Sequence, residues 1–476
     1  MHVPVVAMLL VACSTSHAPE DAEPVADRGV VDAGSADSHV MLPDAGMDSC
    51  VATEELCNAL DDDCDGLVDE DASATCALPH AATECRAGQC VVTGCDLGFG
   101  DCTDAPGCET DTDTSAATCG ACDYTCGSTI ACHDGVCDDE RIVDVSAGWY
   151  HACAVRASGE ALCWGQNTRG QLGTGDLGER LLPAPVIGAN DFVRVLSADV
   201  YSCGLRRAGA LACWGDNASG ELGDGTTVSR AMAADVLIPG RVVGFTARRA
   251  MGPFSFAWTD DGRLWGWGLN YWGQIREPAA IETLATPVSV ARGPFEAVVT
   301  TLIGACGLRG ERTFECWGLQ EAETPPSALT MLDAMVLHGD YGWGLLAGEV
   351  WFWGRSGGVA APFACDPCTE PQRLPLPAPA RQVVTGLGRT CALLDTGQVE
   401  CWGAGLPGQP STPEPVPVGG LSDVQQIALT AWTTCALDAR ARVWCWNTSR
   451  TGDGTSDERL EPTQVQGLYR LRRGTP

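Results

Sequence analysis

The stretch Cys153-Ala-Val-Arg-Ala-Ser-Gly-Glu-Ala-Leu-Cys163-Trp164-Gly165 holds two cysteines nine residues apart, and tryptophan follows the second. This spacing occurs in five copies, Cys153/Cys163, Cys203/Cys213, Cys306/Cys316, Cys391/Cys401 and Cys435/Cys445. Two further copies lack both cysteines but keep the tryptophan, with Phe256 and Gly266 before Trp267, and Trp343 and Phe352 before Trp353. Because an orphaned thiol is a liability in an oxidising compartment, their joint loss predicts a disulfide within each copy.

The residues between the cysteines alternate around a Gly-containing centre, which predicts a β-hairpin. In such a hairpin the two cysteines face each other across antiparallel strands, close enough for a bridge. Upstream, Ile142-Val143-Asp144-Val145 is typical of a strand, and downstream a Gly-rich turn precedes a Pro-flanked strand. Each copy therefore predicts about four short strands.

The copies are 50, 53, 50, 36, 49 and 44 residues apart from Trp to Trp, which is typical of propeller blades. Seven copies predict an all-β fold, a seven-bladed β-propeller over residues 141–476, in which radial stacking covers the blade faces. We expect the repeated tryptophans to pack between adjacent sheets. The terminal segment from Tyr469 to Arg473 occupies the place of an eighth copy, and we expect it to complete the first blade as a strand.

These motifs resemble the repeat of the regulator of chromosome condensation family. The resemblance rests on Gly148 to Val155, with Cys-Ala-Val at its end, and on Cys-Trp-Gly-Gln-Asn-x-x-Gly-Gln-Leu-Gly-x-Gly from Cys163 to Gly175. It covers about seventy per cent of the chain, and the fourth and fifth copies depart from it because they lack the Gly-Gln-Leu-Gly turn. The resemblance implies a seven-bladed propeller. Activity does not follow, because the family's nucleotide-exchange role depends on loops and an intracellular partner that nothing here reproduces.

The N-terminus predicts export. Residues 1–12 are apolar, and Leu10-Val11-Ala12-Cys13 has the pattern of a lipoprotein cleavage site, so Cys13 is the expected lipidation site. The alternatives are a plain cleaved signal peptide or a chance apolar start. Residues 13–48 are acidic and poor in aromatic residues, and we expect a disordered tether. The predicted location is the bacterial cell envelope, at the outer membrane or cell surface, with lipid as the only anchor.

Cysteine usage agrees with an oxidising compartment. Of 27 cysteines, 14 lie between residues 50 and 137, ten form the hairpin pairs, and Cys365 and Cys368 form a further even group. Only Cys13 is left over, as expected if it carries lipid. Residues 49–140 therefore predict a loop-dominated, disulfide-stapled region whose pairing the spacing does not reveal.

Charge excludes one class of partner. The net charge is -33, and residues 1–140 carry 29 of the 62 acidic side chains against only Arg28 and Arg86. All 29 basic residues are arginines. Nucleic acid is a poor partner for this chain, because no basic stripe is present to release counterions. We expect a monomer.

An acidic motif lies within the Cys-rich region. Asp61, Asp63 and Asp65 alternate before Gly66, a spacing that aims three carboxylates at one hard cation, with the Leu67 carbonyl and Asp69 as further oxygens. The string resembles the Asp-Asp-Asp-Cys-Asp-Gly motif of Cys-rich secreted bacterial proteins, which implies metal binding. We expect calcium, with Glu70 or Asp71 replacing the bidentate glutamate. The alternative is a solvated acidic loop pinned by Cys57 and Cys64.

Other motifs favour structural roles. Cys365-Asp366-Pro367-Cys368 has redox or zinc spacing, but no second Cys or His pair lies near it in sequence, so a small disulfide loop is favoured. The histidines are scattered, and His151 is favoured as a strand or turn residue rather than a base. No Gly-x-Ser-x-Gly elbow or phosphate-binding loop is present.

We therefore expect a non-catalytic module that binds or adheres to a protein or glycan through its variable loops. The alternative is an extracytoplasmic enzyme of glycosidase or lyase type, with carboxylates converging at the propeller channel. An axial channel without such carboxylates would count against the enzyme.

Overall fold

The structure is a computed structural model, and it describes residues 54–469 with gaps. The described ranges are 54–62, 67–69, 72–103, 107–122, 125–247, 252–275, 282–290, 293–301, 304–310, 313–318, 326, 329, 332–338, 341–355, 362–363, 365–386, 388–404, 411–430 and 432–469. Among these residues, no helix is both long and apolar enough to cross a membrane.

The Cys-rich region has little regular structure. It contains a 3-10 helix, Ala72–Thr75, and six short strands: β1 (Ala81–Arg86), β2 (Gln89–Cys95), β3 (Phe99–Gly100), β4 (Thr110–Asp111), β5 (Cys132–His133) and β6 (Val136–Cys137). These strands form three two-stranded sheets, β1 with β2, β3 with β4, and β5 with β6. The disulfides are Cys57–Cys85, Cys76–Cys90, Cys95–Cys108, Cys102–Cys122, Cys119–Cys132 and Cys126–Cys137. Crosslinks rather than a large apolar core hold this region together.

Seven antiparallel sheets follow, which we call blades 1 to 7. Their strands are, for blade 1, β7 (Ile142–Ala147), β8 (His151–Arg156), β9 (Ala161–Gly165) and β10 (Arg180–Pro185); blade 2, β11 (Phe192–Ser197), β12 (Tyr201–Arg206), β13 (Leu211–Gly215) and β14 (Arg230–Asp235); blade 3, β15 (Val242–Ala247), β16 (Phe254–Thr259), β17 (Leu264–Leu269) and β18 (Thr283–Val290); blade 4, β19 (Ala297–Thr300), β20 (Ala305–Arg309) and β21 (Thr313–Trp317). Blade 5 has β22 (Ala334–His338), β23 (Tyr341–Leu346), β24 (Glu349–Gly354) and β25 (Cys368–Leu374); blade 6, β26 (Ala380–Thr385), β27 (Arg389–Leu394), β28 (Val399–Gly403) and β29 (Thr412–Pro417); blade 7, β30 (Val424–Leu429), β31 (Thr434–Asp438), β32 (Val443–Trp446) and β33 (Thr463–Gln464). Each sheet pairs its strands in chain order, which confirms the predicted all-β, seven-bladed propeller.

The hairpin cysteines lie directly opposite each other in the second and third strands. The bonded pairs are Cys153–Cys163, Cys203–Cys213, Cys306–Cys316, Cys391–Cys401 and Cys435–Cys445, with Cα atoms 4.0 to 4.1 Å apart. In blade 3 Phe256 faces Gly266 in the same register, and in blade 5 Trp343 faces Phe352. An aromatic side chain thus takes the space of the crosslink in the two blades without one.

The repeated tryptophan of each blade packs in a seam between blades. All seven are buried: Trp164, Trp214, Trp267, Trp317, Trp353, Trp402 and Trp446. Trp214 of blade 2 donates its indole N–H to the carbonyl of Gln171 in blade 1 at 2.9 Å, and Trp267 of blade 3 donates to Glu221 of blade 2 at 2.8 Å. The loop after the third strand therefore reaches over the next blade and binds its tryptophan.

Among the described residues, the ring closes between blades 7 and 1 without exchanging a strand. The first strands of successive blades pack side by side around the axis, and β30 of blade 7 contacts β7 of blade 1. Gln426 of blade 7 donates to the Asp144 carboxylate at 2.9 Å and accepts from the Val145 N–H at 3.2 Å. The Gly454 N–H of blade 7 donates to the Leu181 carbonyl in blade 1, as Gly175 of blade 1 does to Ala231 in blade 2. The closing seam therefore shares this loop-to-strand hydrogen bond with its neighbours.

Tyr469, the first residue of the terminal segment, does not form the predicted strand of blade 1. Blade 1 takes all four strands from residues 142–185, so it has no vacant strand position. Tyr469 instead packs on the apolar core of the seam and donates its phenol O–H to the carbonyl of Ala441. Leu468 is fully buried beside it, and its carbonyl accepts from the Arg156 guanidinium at 2.9 Å. Residues 470–473 lie outside the described residues.

Candidate interaction face

Two faces of the propeller differ in what they display. In an antiparallel meander the connections alternate between opposite ends of the strands. The turns from first to second strand and the loops from third to fourth strand share one end, which we call the loop face. The turns from second to third strand and the linkers between blades share the other, which we call the turn face.

The Cys-rich region adjoins the turn face at the closing seam. Arg141, at the start of blade 1, donates to the carbonyl of Ala439 in the blade 7 turn at 2.9 Å. The same guanidinium donates to the carbonyl of His133, in β5, at 3.3 Å. The N–H of Ser158, in the blade 1 turn, donates to the Asp139 carbonyl at 2.8 Å. The end of the Cys-rich region is therefore tied to blades 7 and 1 on this face.

Exposed aromatic residues lie on the opposite face. Within the part of the chain that the structure describes, four aromatic side chains are exposed, Tyr150, Tyr271, Trp272 and Trp432. Tyr150 and Trp432 follow the first strands of blades 1 and 7, and Tyr271 and Trp272 follow the third strand of blade 3. All four positions belong to the loop face. Trp272 is 55% exposed and Trp432 49%, in contrast to the fully buried repeat tryptophans.

Side-chain hydrogen bonds join the aromatic loops of blades 7 and 1. The Thr430 hydroxyl donates to the Gly148 carbonyl at 2.5 Å, and the Thr433 hydroxyl donates to the Trp149 carbonyl at 3.2 Å. Trp432 lies between these two threonines in sequence. Trp149 and Tyr150 form an edge-on pair with ring centroids 6.4 Å apart. The adjoining loops thus place three aromatic residues at one seam, the exposed Tyr150 and Trp432 and the half-buried Trp149. We call them the seam patch (Trp149, Tyr150 and Trp432).

The charged groups of the long loops on this face are paired with one another. Asp224 accepts from Arg230 at 3.0 Å and from the Thr226 N–H at 2.9 Å. Asp453 repeats the arrangement in blade 7, with Arg459 at 2.7 Å and Thr455 N–H at 2.9 Å. In blade 1, hydrogen bonds from Arg180 and Thr174 lower the pKa of Asp176. These carboxylates shape their own loops.

The first strands of the blades, which surround the axis of the ring, contain no carboxylate pair. Among the seven first strands as described, Asp144 is the one carboxylate. Burial raises its pKa, and both of its oxygens accept hydrogen bonds, from the Val195 N–H at 2.7 Å and from Gln426 at 2.9 Å. Glycosidase chemistry needs two carboxyl groups at a fixed separation. These strands therefore do not supply the site that the enzyme alternative requires.

A histidine and a serine meet between blades 1 and 2, but they are unsuited to catalysis. Nε2 of His151 lies 2.9 Å from Oγ of Ser202, and both side chains are buried. The serine hydroxyl donates to the Gln171 carbonyl at 3.0 Å, so it accepts from the histidine. Burial lowers the pKa of His151 to about 3. A base without access to solvent at this pKa does not activate a nucleophile near neutral pH.

One buried acid departs from the repeat. Glu221 occupies the position of Gln171 in blade 1 and Gln274 in blade 3, and its carboxylate accepts the Ser219 N–H at 2.6 Å. Gln171 and Gln274 make the same contact, with Arg169 and Trp272 respectively. Burial raises the pKa of Glu221 from its ordinary value of 4.5 to about 7. Glu221 therefore fills a position at which blades 1 and 3 have a structural glutamine.

The predicted metal residues are only partly within the described residues. Asp63 and Asp65 lie outside them, as does Cys13. Asp69 uses Oδ1 to accept the N–H groups of Asn58 and Ala59, at 2.8 and 2.9 Å. The buried carboxylate of Glu55 accepts the N–H groups of Asp62 and Asp69, at 2.7 and 3.1 Å. Glu55 thus holds the backbone on both sides of the acidic loop, at Asp62 and Asp69.

Cysteine clusters offer no metal site among the described residues. Three groups bring ligand-type atoms within 4.8 Å of one another, including Cys57 and Cys85 beside Asp69. Every cysteine in these groups is disulfide-bonded, so none presents a thiolate. Cys365 and Cys368 are likewise bonded to each other, at the start of β25.

The aromatic residues of the loop face were not predicted from the sequence. The prediction for the tryptophans concerned only the periodic position after the second cysteine, which is a core site. Trp149, Trp272 and Trp432 lie outside that period, between strands and beside glycine or threonine. Their position outside the repeat period was the signal in the sequence that could have indicated exposed aromatic residues.

Comparisons with known proteins agree with the repeat. Residues 142–171 and 158–205 match family models described as the regulator of chromosome condensation (RCC1) repeat. The human probable E3 ubiquitin-protein ligase HERC4 is 38% identical over 77 residues, 13% of this chain and 7% of HERC4. The ultraviolet-B receptor UVR8 of Arabidopsis thaliana is 44% identical over 46 residues, 10% of each protein. The chain thus spans at most a tenth of these curated relatives.

Solved structures are similar over the propeller. Human WBSCR16 is 17% identical and covers 69% of this chain and 83% of its own, with a TM-score of 0.40. Yeast RCC1 (Prp20), solved with Kap60, is 16% identical and covers 68% and 75%, also with a TM-score of 0.40. The family models and the seven sheets together show that this chain carries regulator of chromosome condensation (RCC1) repeats in a seven-bladed β-propeller.

Proposed function

We propose that the protein is a non-catalytic binding module of the cell envelope, which holds an envelope or extracellular protein or glycan on its loop face. A propeller of RCC1 repeats favours a protein-binding role. The observation that carries the choice of face is the distribution of exposed aromatics. All four lie on the loop face, while the Cys-rich region adjoins the turn face at the closing seam. Exposed tryptophan and tyrosine are the residue types that dominate binding hot spots.

The architecture supports this function physically. Each described seam between blades 7, 1, 2 and 3 is held by hydrogen bonds from the loop of one blade to the last strand of the next. A rigid ring of this kind presents its loops in a fixed arrangement, which lowers the ordering cost of binding. The tether predicted for residues 13–48 would then hold the turn face toward the membrane and the loop face away from it.

The lipid anchor is tested by substituting Cys13. Replacing Cys13 with serine removes the predicted acylation site, and we expect the protein to move from the membrane pellet to the soluble fraction after cell fractionation. Wild-type protein treated with high salt is the control, because a lipid anchor resists salt whereas peripheral charge attraction does not. A variant that still sediments with membranes would contradict the anchor.

We propose calcium for the acidic loop of Asp61, Asp63, Asp65, the Leu67 carbonyl and Asp69, with a structural role. The observation behind it is that the Glu55 carboxylate accepts the backbone N–H groups of Asp62 and Asp69, one on each side of the loop. Extracellular calcium modules bind at roughly 0.1 to 1 mM. Addition of millimolar calcium is expected to raise the melting temperature, and an unchanged melting curve after chelation would contradict the proposal.

The partner is sought with the folded protein as bait. The mature chain is immobilised and exposed to envelope and extracellular fractions, with and without chelator. A parallel bait carries Trp149→Ala and Trp432→Ala, which remove two rings of the seam patch. We expect wild type to retain a specific component that the variant loses. Equal retention by both baits would place binding outside the seam patch and contradict its assignment as the binding part of the loop face.

A further inference from the structure

We infer that the seam patch binds an uncharged glycan, by stacking of sugar rings on Trp149, Tyr150 and Trp432. This inference rests on the proposed binding function and names the chemistry of its ligand. The tryptophan and tyrosine rings offer flat apolar faces with electron-rich π systems. A pyranose ring offers the complementary surface, a patch of C–H groups with hydroxyls around its edge.

The patch is preorganised. Two threonine hydroxyls tie the blade 7 loop to the carbonyls of Gly148 and Trp149. The Tyr150 carbonyl accepts the Gln166 N–H at 2.8 Å, which fixes the blade 1 loop to its own third strand. Loops held in this way lose little conformational entropy when a ligand settles on them. Shallow stacking surfaces depend on this, because each ring contributes a modest free energy.

The surrounding charges favour a neutral ligand. Arg450 of blade 7 pairs with Glu179 of blade 1 across the same seam. Arg180 of the blade 1 loop pairs with Asp176 at 2.5 Å. Protein interfaces usually combine aromatic anchors with arginine, and here these arginines are committed within the chain. Residues 141–476, which form the propeller, carry 33 acidic against 27 basic side chains, and this excess of acidic groups further disfavours anionic polymers. What the seam offers a ligand is therefore stacking area and neutral polar groups.

The geometry also distinguishes this patch from the other exposed pair. Tyr271 and Trp272 of blade 3 pack against each other with ring centroids 4.6 Å apart and an interplanar angle of 70°. They belong to one loop of one blade, so they form a single small platform. The seam patch draws on two blades and three residues, which suits an extended chain of sugars. Trp272 is therefore a matched control: an exposed tryptophan on the same face that lies off the proposed site.

The test is calorimetric titration of the mature protein with uncharged hexasaccharides of the cello-, xylo-, malto- and chito- series. Heparin and polygalacturonate form the anionic arm. We expect saturable binding of at least one uncharged series, unchanged between low and high salt. The Trp149→Ala, Trp432→Ala double variant is expected to bind about tenfold more weakly or worse, and Trp272→Ala within about twofold of wild type. Circular dichroism confirms that each variant is folded.

Three results would overturn the inference: no binding of any uncharged series, preference for the anionic polymers, or equal affinity in the double variant. The bait experiment separates this failure from that of the proposed function. If no glycan binds but wild type retains a protein that the double variant loses, the glycan inference is contradicted and the proposed binding face is supported. If no glycan binds and the two baits retain the same proteins, both the glycan inference and the proposed binding face are contradicted.

Discussion

The repeated tryptophans show how one residue position stabilises every seam. Each indole fills space between two sheets, and in blades 2, 3 and 4 its N–H donates to a carbonyl of the preceding blade. Apolar burial and a satisfied polar atom therefore coincide in one side chain. A glycine in the loop of the preceding blade allows this close approach, because a Cβ at Gly173 would lie 2.9 Å from the Trp214 ring.

Truncating Trp214 is expected to be severe. Trp214→Ala leaves a cavity between blades 1 and 2 and should lower the free energy of unfolding by roughly 3 to 5 kcal/mol. Chemical denaturation monitored by circular dichroism measures the change. Trp272→Ala, which removes a half-exposed ring, is the control and should cost less than about 1 kcal/mol. A similarly small loss for Trp214→Ala would contradict its core position.

Glu221 gives the protein a defined pH dependence. Its pKa rises from 4.5 in the unfolded chain to about 7 in the folded one, so between these values the folded state binds more protons. Stability therefore falls as pH increases across this window. Glu221→Gln restores the residue found at 171 and 274, and its amide can donate to the backbone as Gln274 does to Leu269 at 2.7 Å.

The variant is expected to gain about 1 to 3 kcal/mol over wild type at pH 8 and almost nothing at about pH 3, where the acid is protonated in both states. Parallel urea titrations at the two pH values measure this difference. An equal gain in the free energy of unfolding at both pH values would show that the effect does not arise from titration of Glu221.

At the scale of elements, the loop from third to fourth strand joins the ring together. In blades 1, 2 and 7 a glycine N–H of this loop donates to the last strand of the following blade, from Gly175, Gly225 and Gly454. This hydrogen bond engages one carbonyl of the outermost strand, whose free side would otherwise be an open sheet edge. The loop combines two roles, since it covers an edge and binds the neighbouring tryptophan.

Gly173→Ala tests this packing separately from backbone strain. Gly173 has φ +70° and no room for a Cβ, whereas Gly420 has φ +76° and nothing within 4 Å of a Cβ. Gly420→Ala is expected to cost about 1 kcal/mol, from the left-handed backbone alone. Gly173→Ala should cost about 1 to 3 kcal/mol more, because Trp214 must shift. Equal losses in thermal or chemical denaturation would mean that the close approach contributes nothing.

The sequence predicted the hairpins well and the loops poorly, for a physical reason. Cysteine pairs, alternation and a glycine centre are local signals, and both copies without cysteines keep the same register, Phe256 opposite Gly266 and Trp343 opposite Phe352. The bonds from Gly175 to Ala231 and from Trp214 to Gln171 join different blades. No local spacing encodes which blade a loop will meet. The exposed Trp432 was missed for the same reason, since its value depends on its neighbour Trp149.

At the scale of the whole molecule, the described residues close the ring through side chains rather than through an exchanged strand. Leu468 and Tyr469 fill the seam between blades 7 and 1, and Arg156 reaches across to the Leu468 carbonyl. The prediction of a terminal strand in blade 1 was wrong at Tyr469, which packs on the seam as a side chain and is not part of a strand. Blade 1 obtains its outer strand, Arg180–Pro185, from its own repeat.

Leu468→Ala is therefore expected to weaken ring closure. The fully buried side chain should contribute about 2 to 5 kcal/mol, whereas Leu460→Ala, half-exposed in the same blade, should cost less than about 1 kcal/mol. Hydrogen exchange should become faster in blades 1 and 7 while blade 3 keeps its protection. Uniform loss of protection around the ring would show that the seam does not open on its own.

Because side chains close the ring, the blade at which the chain starts depends only on where the blades are linked. Arg141 and Tyr469 meet the same blade 7 turn, at Ala439 and Ala441, so a short linker between these points would join the two ends of the propeller. New ends could then be opened at the exposed Gly419-Gly420 linker, where a Cβ meets nothing within 4 Å. Circular permutants are tolerated where ends are close and new breaks are exposed. The ring is thus a fold that can start at any blade.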